Sequence, residues 1–558
     1  MHKRKLIEVA LPLEAINRES EKDGPKRKNH PWRMHYWWAR RKLPTSRAVL
    51  FAQMVDDPSS RPDRFPTKEL QRAERERLHA LIERLVKWDQ VQDPSFLAEI
   101  RSEIQRSAGA PLPAILDPFA GGGSIPLEAQ RLGLESHASD LNPVAVLINK
   151  ALIEIPSAFC GKPPVFPELA ESRLARWDGA EGLGADVRAY GDWIRSEARR
   201  RLAAHYPDVE GQQTMGWVWA RTVRCPNPAC GIEMPLARSW WLSNRRGKEA
   251  FVVPKVVLDS SQSAGQRVEF EVREGRAGFP ANDGTVHGRH GATCLACATA
   301  VPMSHLRAEG KANRLGKLLM AIVALGDRRR HYLTPTPEHL AAAEVDRPAN
   351  SISGDIATNP RWFSPPAYGL TTFDQLFTNR QLLALTTLSD LVMEARERVL
   401  SDGGSVEYAD AVATYLGLAV SRGSDYQSSI TTWHNKNEQI RNVFSRQAIP
   451  MSWDFFEVNP LGDGSGTWTS QCELAGQALD GLRVDIPAAA TQAPAQSAAA
   501  RPMVLSTDPP YYDNVGYSDL SDFFYVWLRR SLRTIHPDLL GTMLVPKAEE
   551  LVANDSAP

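Results

Sequence analysis

"PAILDPFAGGGSIPLEAQRLGLESHASDLNPVAVLINKAL", residues 113–152, changes its pattern several times within a short span. Ala114 to Leu116 form a short apolar run that ends in Asp117. Pro118, Phe119, Ala120 and three consecutive glycines, Gly121 to Gly123, then make a loop. Ser124 opens a helical stretch, and Gly133 is a natural stop for it. "SHASD" reads as a second strand ending in Asp140, and a second helix follows. Strand, loop, helix, strand and helix in succession is the unit from which parallel sheets are built. The expected class is therefore α/β.

The loop has a chemistry of its own. Glycines between a strand and a helix let a ligand approach the backbone, where the helix N-terminus offers free N–H groups. The glycines are consecutive rather than spaced as in the dinucleotide fingerprint, and no Gly-Lys-Ser/Thr of a phosphate loop follows. Asp117 at the loop disfavours a pyrophosphate and favours a cationic ligand, such as one bearing an ammonium and a sulfonium. Asp140 ends the second strand 17 residues after Gly123, where an acid suits the two hydroxyls of a ribose. Phe119, Gly121 and Gly123 are the loop positions expected to line such a ligand. An ordinary tight strand–helix turn is the alternative.

The chain has 558 residues, 42% hydrophobic and 24% charged, with 66 basic and 66 acidic residues. At zero net charge, a nucleic-acid partner must be held by local basic patches. No apolar run approaches the ~18 residues of a membrane span. Glu8 and Glu14 interrupt the apolar part of the basic start, so no signal peptide is read. Six cysteines in this length suit a reducing cytoplasm. The pattern divides into an aromatic and basic region (1–66), a helix with the βαβ half of the core (67–155), an insertion with a cysteine cluster (156–310), a mostly helical region (311–485), a low-complexity linker (486–502) and a C-terminal segment (503–558). "NRLGKLLMAIVAL" is read as helix within the mostly helical region, which is the expected seat of target recognition.

Cys225 and Cys230 form "CPNPAC", and Cys294 and Cys297 form "CLAC". Two close pairs are the zinc-ribbon signature, with four thiolates around one structural Zn²⁺. The strand-like segments "AFVVPKVVLD" and "QRVEFEVRE" between the pairs are expected to carry the two knuckles. Free thiols or a redox pair are the alternative. Cys160 and Cys472 stand alone and suit the core. The runs Lys26–Lys28, Arg40–Lys42 and Arg328–Arg330 read as solvated faces, except that Arg40 and Arg41 follow "HYWW" and lie beside the expected ligand site. Trp37 or Trp38 of that run is expected against the ligand, with Trp38 taken as the site residue.

The other informative corner is "MVLSTDPPYYD", residues 503–513. It resembles motif IV of the amino-methyltransferases that act on adenine in DNA. "DPFAGGGS" resembles their motif I for S-adenosylmethionine, and "HYWWARR" (35–41) a variant of motif X. "LPLEAINRES", "CPNPACGIEMPL", "FSPPAYGLTTF", "MSWDFFEVNP" and "YYDNVGYSDLSDFFYVWLRR" extend the likeness to large prokaryotic adenine-specific DNA methylases with an N-terminal domain of unknown function. The resemblance implies a Rossmann-like class I methyltransferase core with a large zinc-ribbon and helical insertion. It implies S-adenosylmethionine as methyl donor, duplex DNA with a flipped adenine as substrate, and a role in modification or defence. Asp508 and the Pro509 carbonyl would accept from the adenine amine, Pro510 would stiffen the corner, and Tyr511 would stack on the flipped base. An RNA base methyltransferase and a catalytically inactive DNA-binding subunit are the other readings. The family's sheet has seven strands, and the residues after Tyr511 read as one amphipathic helix and a tail. The core is therefore expected to be incomplete: either the gene is truncated or a second polypeptide supplies the missing strands, and weak activity is expected of the isolated chain. Other defence-system proteins are the alternative partners.

Overall fold

The computed structural model describes residues 3–551 apart from 172–175, 210, 281–282, 327–328, 483–484, 498–501 and 512–514. The N-terminal part is helical: α1 (Leu13–Glu21), α2 (Leu43–Met54), α3 (Lys68–Leu85) and α4 (Pro94–Ala108). Thr67 and Asp93 cap α3 and α4 with side-chain acceptors, and Pro94 at the first position of α4 splits what the sequence presents as one helical region. Then come β1 (Ile115–Asp117), α5 (Ser124–Arg131), β2 (Ser136–Asp140) and α6 (Pro143–Asn149), as the alternation predicts. Asn142 caps α6 through Val144 N–H, which explains why the chain turns from strand to helix at "DLNP".

The next strands belong to the insertion: β3 (Thr214–Arg224), β4 (Glu233–Leu236), β5 (Trp241–Ser243), β6 (Ala250–Leu258), β7 (Gln266–Glu274), β8 (Ala292–Thr293) and β9 (Ala300–Val301). They continue with β10 (Gly316–Leu325), β11 (Arg330–Leu333), β12 (Thr432–His434), β13 (Gln439–Arg441) and β14 (Asp454–Val458). The last two, β15 (Ala488–Gln492) and β16 (Val504–Leu505), return to the first sheet. That sheet is parallel, in the order β15–β2–β1–β16.

Two cores flank the parallel sheet. Ile115 of β1 packs with α2 to α5, whereas Ala138 of β2 and Ala490 of β15 pack with α6 and the helices of the insertion. Arg47 of α2 is fully buried, donates to the Leu85 and Val86 carbonyls, and pairs with buried Glu128 of α5 at 3.1 Å. Removing one partner of such a pair costs about 3–5 kcal/mol, so this contact fixes the N-terminal helices against α5. The helix Tyr517–Leu532, expected to be amphipathic, is buried on nearly every face, with Phe523, Phe524 and Trp527 inaccessible to solvent.

Three expectations need correction. "GKLLMAIVAL" is not a helix but β10, the strand between β3 and β11. Its burial is continuous from Leu319 to Ala324, so it shows no alternation that would separate it from a buried helix. Because β3 pairs with both β10 and β14, one sheet joins residues from the expected 156–310 and 311–485 regions, and no structural boundary falls at 310. The expected linker holds β15, which hydrogen-bonds in parallel along the whole of β2. Residues 498–501 of that linker lie outside the described residues.

"MSWDFFEVNP" supplies β14, whose Glu457 is buried and accepts from buried Arg380 at 2.9 Å. Among the described residues no helix is long and apolar enough to cross a membrane.

Candidate functional site: an acidic cavity between two Asp-Pro corners

β1 and β16 lie side by side, so the two Asp-Pro sequences at their ends become neighbours. The register Ile115↔Val504 and Leu116↔Leu505 sets Asp117 beside the turn that starts at Ser506. Asp117 Oδ1 accepts from Thr507 Oγ1 at 2.7 Å and from Phe119 N–H at 3.1 Å, tying the glycine loop to the second corner. Asp140 Oδ2 accepts from Gly121 N–H at 2.8 Å and its Oδ1 from Asn142 N–H at 2.9 Å. Each Asp140 oxygen keeps a second lone pair for a ligand hydroxyl.

The glycines are there for close approach. At Gly121, with φ +48°, a Cβ would lie 2.8 Å from Trp37 Nε1. At Gly123, with φ +78°, it would lie 2.9 Å from Asn149 Oδ1. Both residues adopt the left-handed conformation that side chains resist.

The cavity holds about 1090 Å³ of empty space, its solvent mouth included. Asp117, Phe119, Gly121, Asp140, Asp508, Pro509, Pro510 and Tyr511 all line it, so eight of the expected residues share one space. Two do not line it. Gly123 shapes the turn behind the wall, and Trp38 packs edge-on against Phe444 at 5.0 Å. Trp37 takes the expected place of Trp38: it lines the cavity and stacks with Tyr517 at 6.1 Å.

Other wall residues carried no sequence signal. Glu549 and Glu550 line the cavity from the far end of the chain, and Ser518 Oγ donates to Glu550 at 2.7 Å. Arg41, suspected only from its neighbours, donates to both Asp508 and the Tyr511 hydroxyl, while Tyr511 donates to Asp508 at 3.0 Å. The Tyr511 ring remains 59% exposed, so one face is free to stack.

The remaining basic residues are accounted for elsewhere. Arg27 lies over Trp88 at 5.9 Å, Lys42 donates to the Asp23 carbonyl at 2.8 Å, and Arg329 reaches Glu274 at 3.8 Å. Arg328 lies outside the described residues.

The crowding of carboxyls shows in their acidity. Burial pushes Asp117 up to about 7, against the bonds from Thr507 and Phe119, with the charges of Asp140 and Asp508 adding to the rise. Burial likewise pushes Asp140 up to about 6 despite three backbone donors, and Glu550 up to about 7. Burial and the nearby Arg422 charge lower Arg40 to about 9.

These acids protonate more readily in the folded chain than when unfolded. Their ionisation therefore opposes folding, and stability falls as pH rises from about 4 to 7. A cationic ligand reverses this, because it binds the ionised forms. We expect its affinity to rise through pH 6–7 by up to about tenfold per unit for each proton released. Calorimetry across that window checks it, and a flat profile rejects an ionised acid pair at the ligand. Separately, Asp140→Ala is expected to raise the dissociation constant about tenfold or more, the scale of hydrogen bonds lost to a charged group. Unchanged affinity would remove Asp140 from the site.

The second cluster is the cysteine set. Cys225, Cys230, Cys294 and Cys297 bring their sulfurs within 4.8 Å of one another. Cys225 and Cys297 are 3.7 Å apart, and Cys230 and Cys294 are 3.9 Å apart. A tetrahedral Zn²⁺ with bonds of about 2.3 Å requires sulfurs about 3.8 Å apart, whereas a disulfide requires about 2.0 Å. The side-chain amides of Asn227 and Gln266 point at Cys297 and Cys230 from 3.8 and 3.7 Å, as donors to thiolates do. The set is compatible with a zinc site.

The pairs do not sit on the strands expected to carry them. β6 and β7 pair with each other, but the knuckles are the β3–β4 and β8–β9 hairpins. Cys160 is partly buried and Cys472 fully so, apart from the cluster.

Residues 10–81 match the family model described as Protein of unknown function (DUF1156). The chain therefore carries an N-terminal domain of unknown function, as expected. Comparison with curated proteins and with solved structures gives no match. The DUF1156 segment spans α1, α2 and most of α3, and it includes Trp37, Arg40 and Arg41. It thus contributes one wall of the cavity as well as the buried Arg47.

Proposed function

We propose that the chain is a methyltransferase dependent on S-adenosylmethionine that forms N6-methyladenine in DNA, within a Rossmann-like core interrupted by a zinc-ribbon insertion. One observation carries this reading: the Asp117–Thr507 hydrogen bond joins the glycine loop and the Asp-Pro-Pro-Tyr corner into one acidic cavity. S-adenosylmethionine, when bound, supplies an electrophilic methyl group on a sulfonium. Asp117 and Asp140 suit its ammonium and its ribose, and the acidic wall suits its positive charge.

The adenine amine is a poor nucleophile because its lone pair is delocalised into the ring. Asp508 and the Pro509 carbonyl would accept hydrogen bonds from its two N–H groups and draw the nitrogen towards sp³ geometry, while Tyr511 would hold the flipped base by stacking; the one proton released on methylation leaves to solvent. The two prolines keep these acceptors fixed before the substrate arrives. Zn²⁺ on the four cysteines is structural, since four thiolates leave no open position. The proposal includes a further polypeptide that completes the parallel sheet. Among the described residues β16 pairs with β1 alone, and Leu505 is 57% exposed.

A second reading, a catalytically inactive DNA-binding subunit, is favoured by Arg41, which occupies the Asp508 carboxylate. An RNA base methyltransferase uses the same chemistry. Incubating the protein with methyl-labelled cofactor and duplex DNA, RNA or neither separates the three. Even weak label at adenine in DNA supports the proposal, and label in RNA alone transfers it to RNA. Label in neither, with no cofactor binding by calorimetry, favours the inactive subunit, whereas robust labelling by the chain alone removes the further polypeptide.

A further inference from the structure

Outside the cavity, the strongest unexplained feature is a cationic cleft between two hairpin tips. The β5–β6 turn presents Asn244, Arg245, Arg246 and Lys248, and the β12–β13 turn presents Asn435, Lys436 and Asn437. The tips are joined: Asn244 N–H donates to the Asn435 carbonyl at 3.3 Å, and Trp433 Nε1 donates to the Leu242 carbonyl at 2.6 Å. A cleft opens between Arg245, Arg246, Lys436 and Asn437. A second cleft abuts it, lined by Trp433, His434, Asn435 and Arg441.

The charge here is unbalanced, although the chain as a whole is neutral. The nearby carboxylates are already occupied. Asp454 pairs with Arg238, Glu249 accepts from Arg276 at 3.1 Å, and buried Glu438 accepts from Tyr332 at 3.1 Å and lies 3.5 Å from Arg245. Among the described residues Arg246, Lys248, Lys436 and Arg441 make no ion pair, and Arg246, Lys436 and Arg441 are exposed. Neither turn carries an apolar side chain that would anchor it in a bilayer. Arginine, lysine and asparagine on projecting turns are the side chains that contact phosphate oxygens.

The cleft is also tied to the cavity. Phe444 follows Arg441 by three residues, at most about 10 Å of extended chain. Phe444 accepts from the Tyr36 hydroxyl at 3.1 Å and packs on Trp38, next to cavity-lining Trp37.

We infer that these paired hairpin tips bind the phosphate backbone of duplex DNA beside the base presented to the cavity. The inference rests on the DNA-methylating reading and adds the surface that holds the substrate. The test uses the full chain and its Arg246→Gln/Lys436→Gln/Arg441→Gln variant. These side chains make no ion pair, so the melting temperature should not move. Binding of a labelled 30-base-pair duplex is followed by anisotropy over a salt series (about 50–300 mM), with cofactor affinity measured by calorimetry. Each lost phosphate contact removes about 0.9 from the slope of log K against log salt. The variant should lose about 2–3 from that slope and bind roughly a hundredfold more weakly near 0.1 M salt, with cofactor affinity unchanged.

Equal affinity and slope in the two proteins would overturn the surface. If the wild type then still methylates DNA, the catalytic reading stands alone. The expected loss in a wild type that neither transfers a methyl group nor binds the cofactor would keep the surface and remove the catalytic reading. A wild type that binds no duplex, or one from which RNA or polyglutamate displaces the duplex at equal charge, overturns the assignment to duplex DNA.

Discussion

Asp508→Ala is expected to lower methyl transfer by about a hundredfold to a thousandfold, the scale seen when one preorganised polar partner of a transition state is removed. The carboxylate is the charged acceptor at the corner, and the Pro509 carbonyl alone cannot replace it. The fold should tolerate the change. The groups left behind, Arg41 and Tyr511, are both substantially exposed and can return to water. Cofactor affinity should be weakened at most, because the acidic wall loses one charge while Asp117 and Asp140 remain in place. Labelled methyl transfer measured beside cofactor calorimetry gives both numbers. Undiminished turnover would refute the role of Asp508.

Removal of the metal is the second large effect. Structural zinc sites have apparent binding free energies of about 10–16 kcal/mol, which becomes folding free energy for the region they close. A zinc on the four cysteines would clamp β3 and β4 to β8 and β9. β3 is central to its sheet, pairing with β4, β10 and β14. A chelator should therefore lower the melting temperature of the insertion by about 10 °C or more, and buried Trp217 and Trp219 on β3 report it by fluorescence. Metal analysis should find one zinc per chain, lost in Cys294→Ser. Zinc-free protein with four freely reactive thiols would dismiss the site.

The β1–α5–β2 unit was legible because each step carries its own local signal: Asp117 ends an apolar run, three glycines follow, and Asn142-Pro143 starts the next helix. The cysteine set was legible from spacing alone, though its hairpins were not, since short strands such as β8 and β9 have no pattern to read. β15 was hidden for a different reason. "AAATQ" has weak strand propensity and becomes a strand through its pairing with β2. β10 was hidden by being buried on both faces. Within the site, the choice of Trp37 over Trp38 depends on how an irregular segment turns, which neighbouring identical residues cannot reveal. Glu550 reaches the cavity, and Thr507 reaches Asp117, only through long-range contacts.

The parallel sheet also sets a schedule for synthesis. β2 ends at Asp140, and its outer neighbour β15 begins only at Ala488. At translation speeds of about 5–20 residues per second, the edges of β1 and β2 wait roughly 20–70 s for their partners. During that interval the nascent chain offers unpaired backbone groups to any passing strand. The insertion sets the length of that wait, since β3 to β14 all lie between β2 and β15 in the chain. Damage to the insertion should therefore appear in cells first as aggregated or degraded protein, well before any folded chain with a weakened cavity could be recovered.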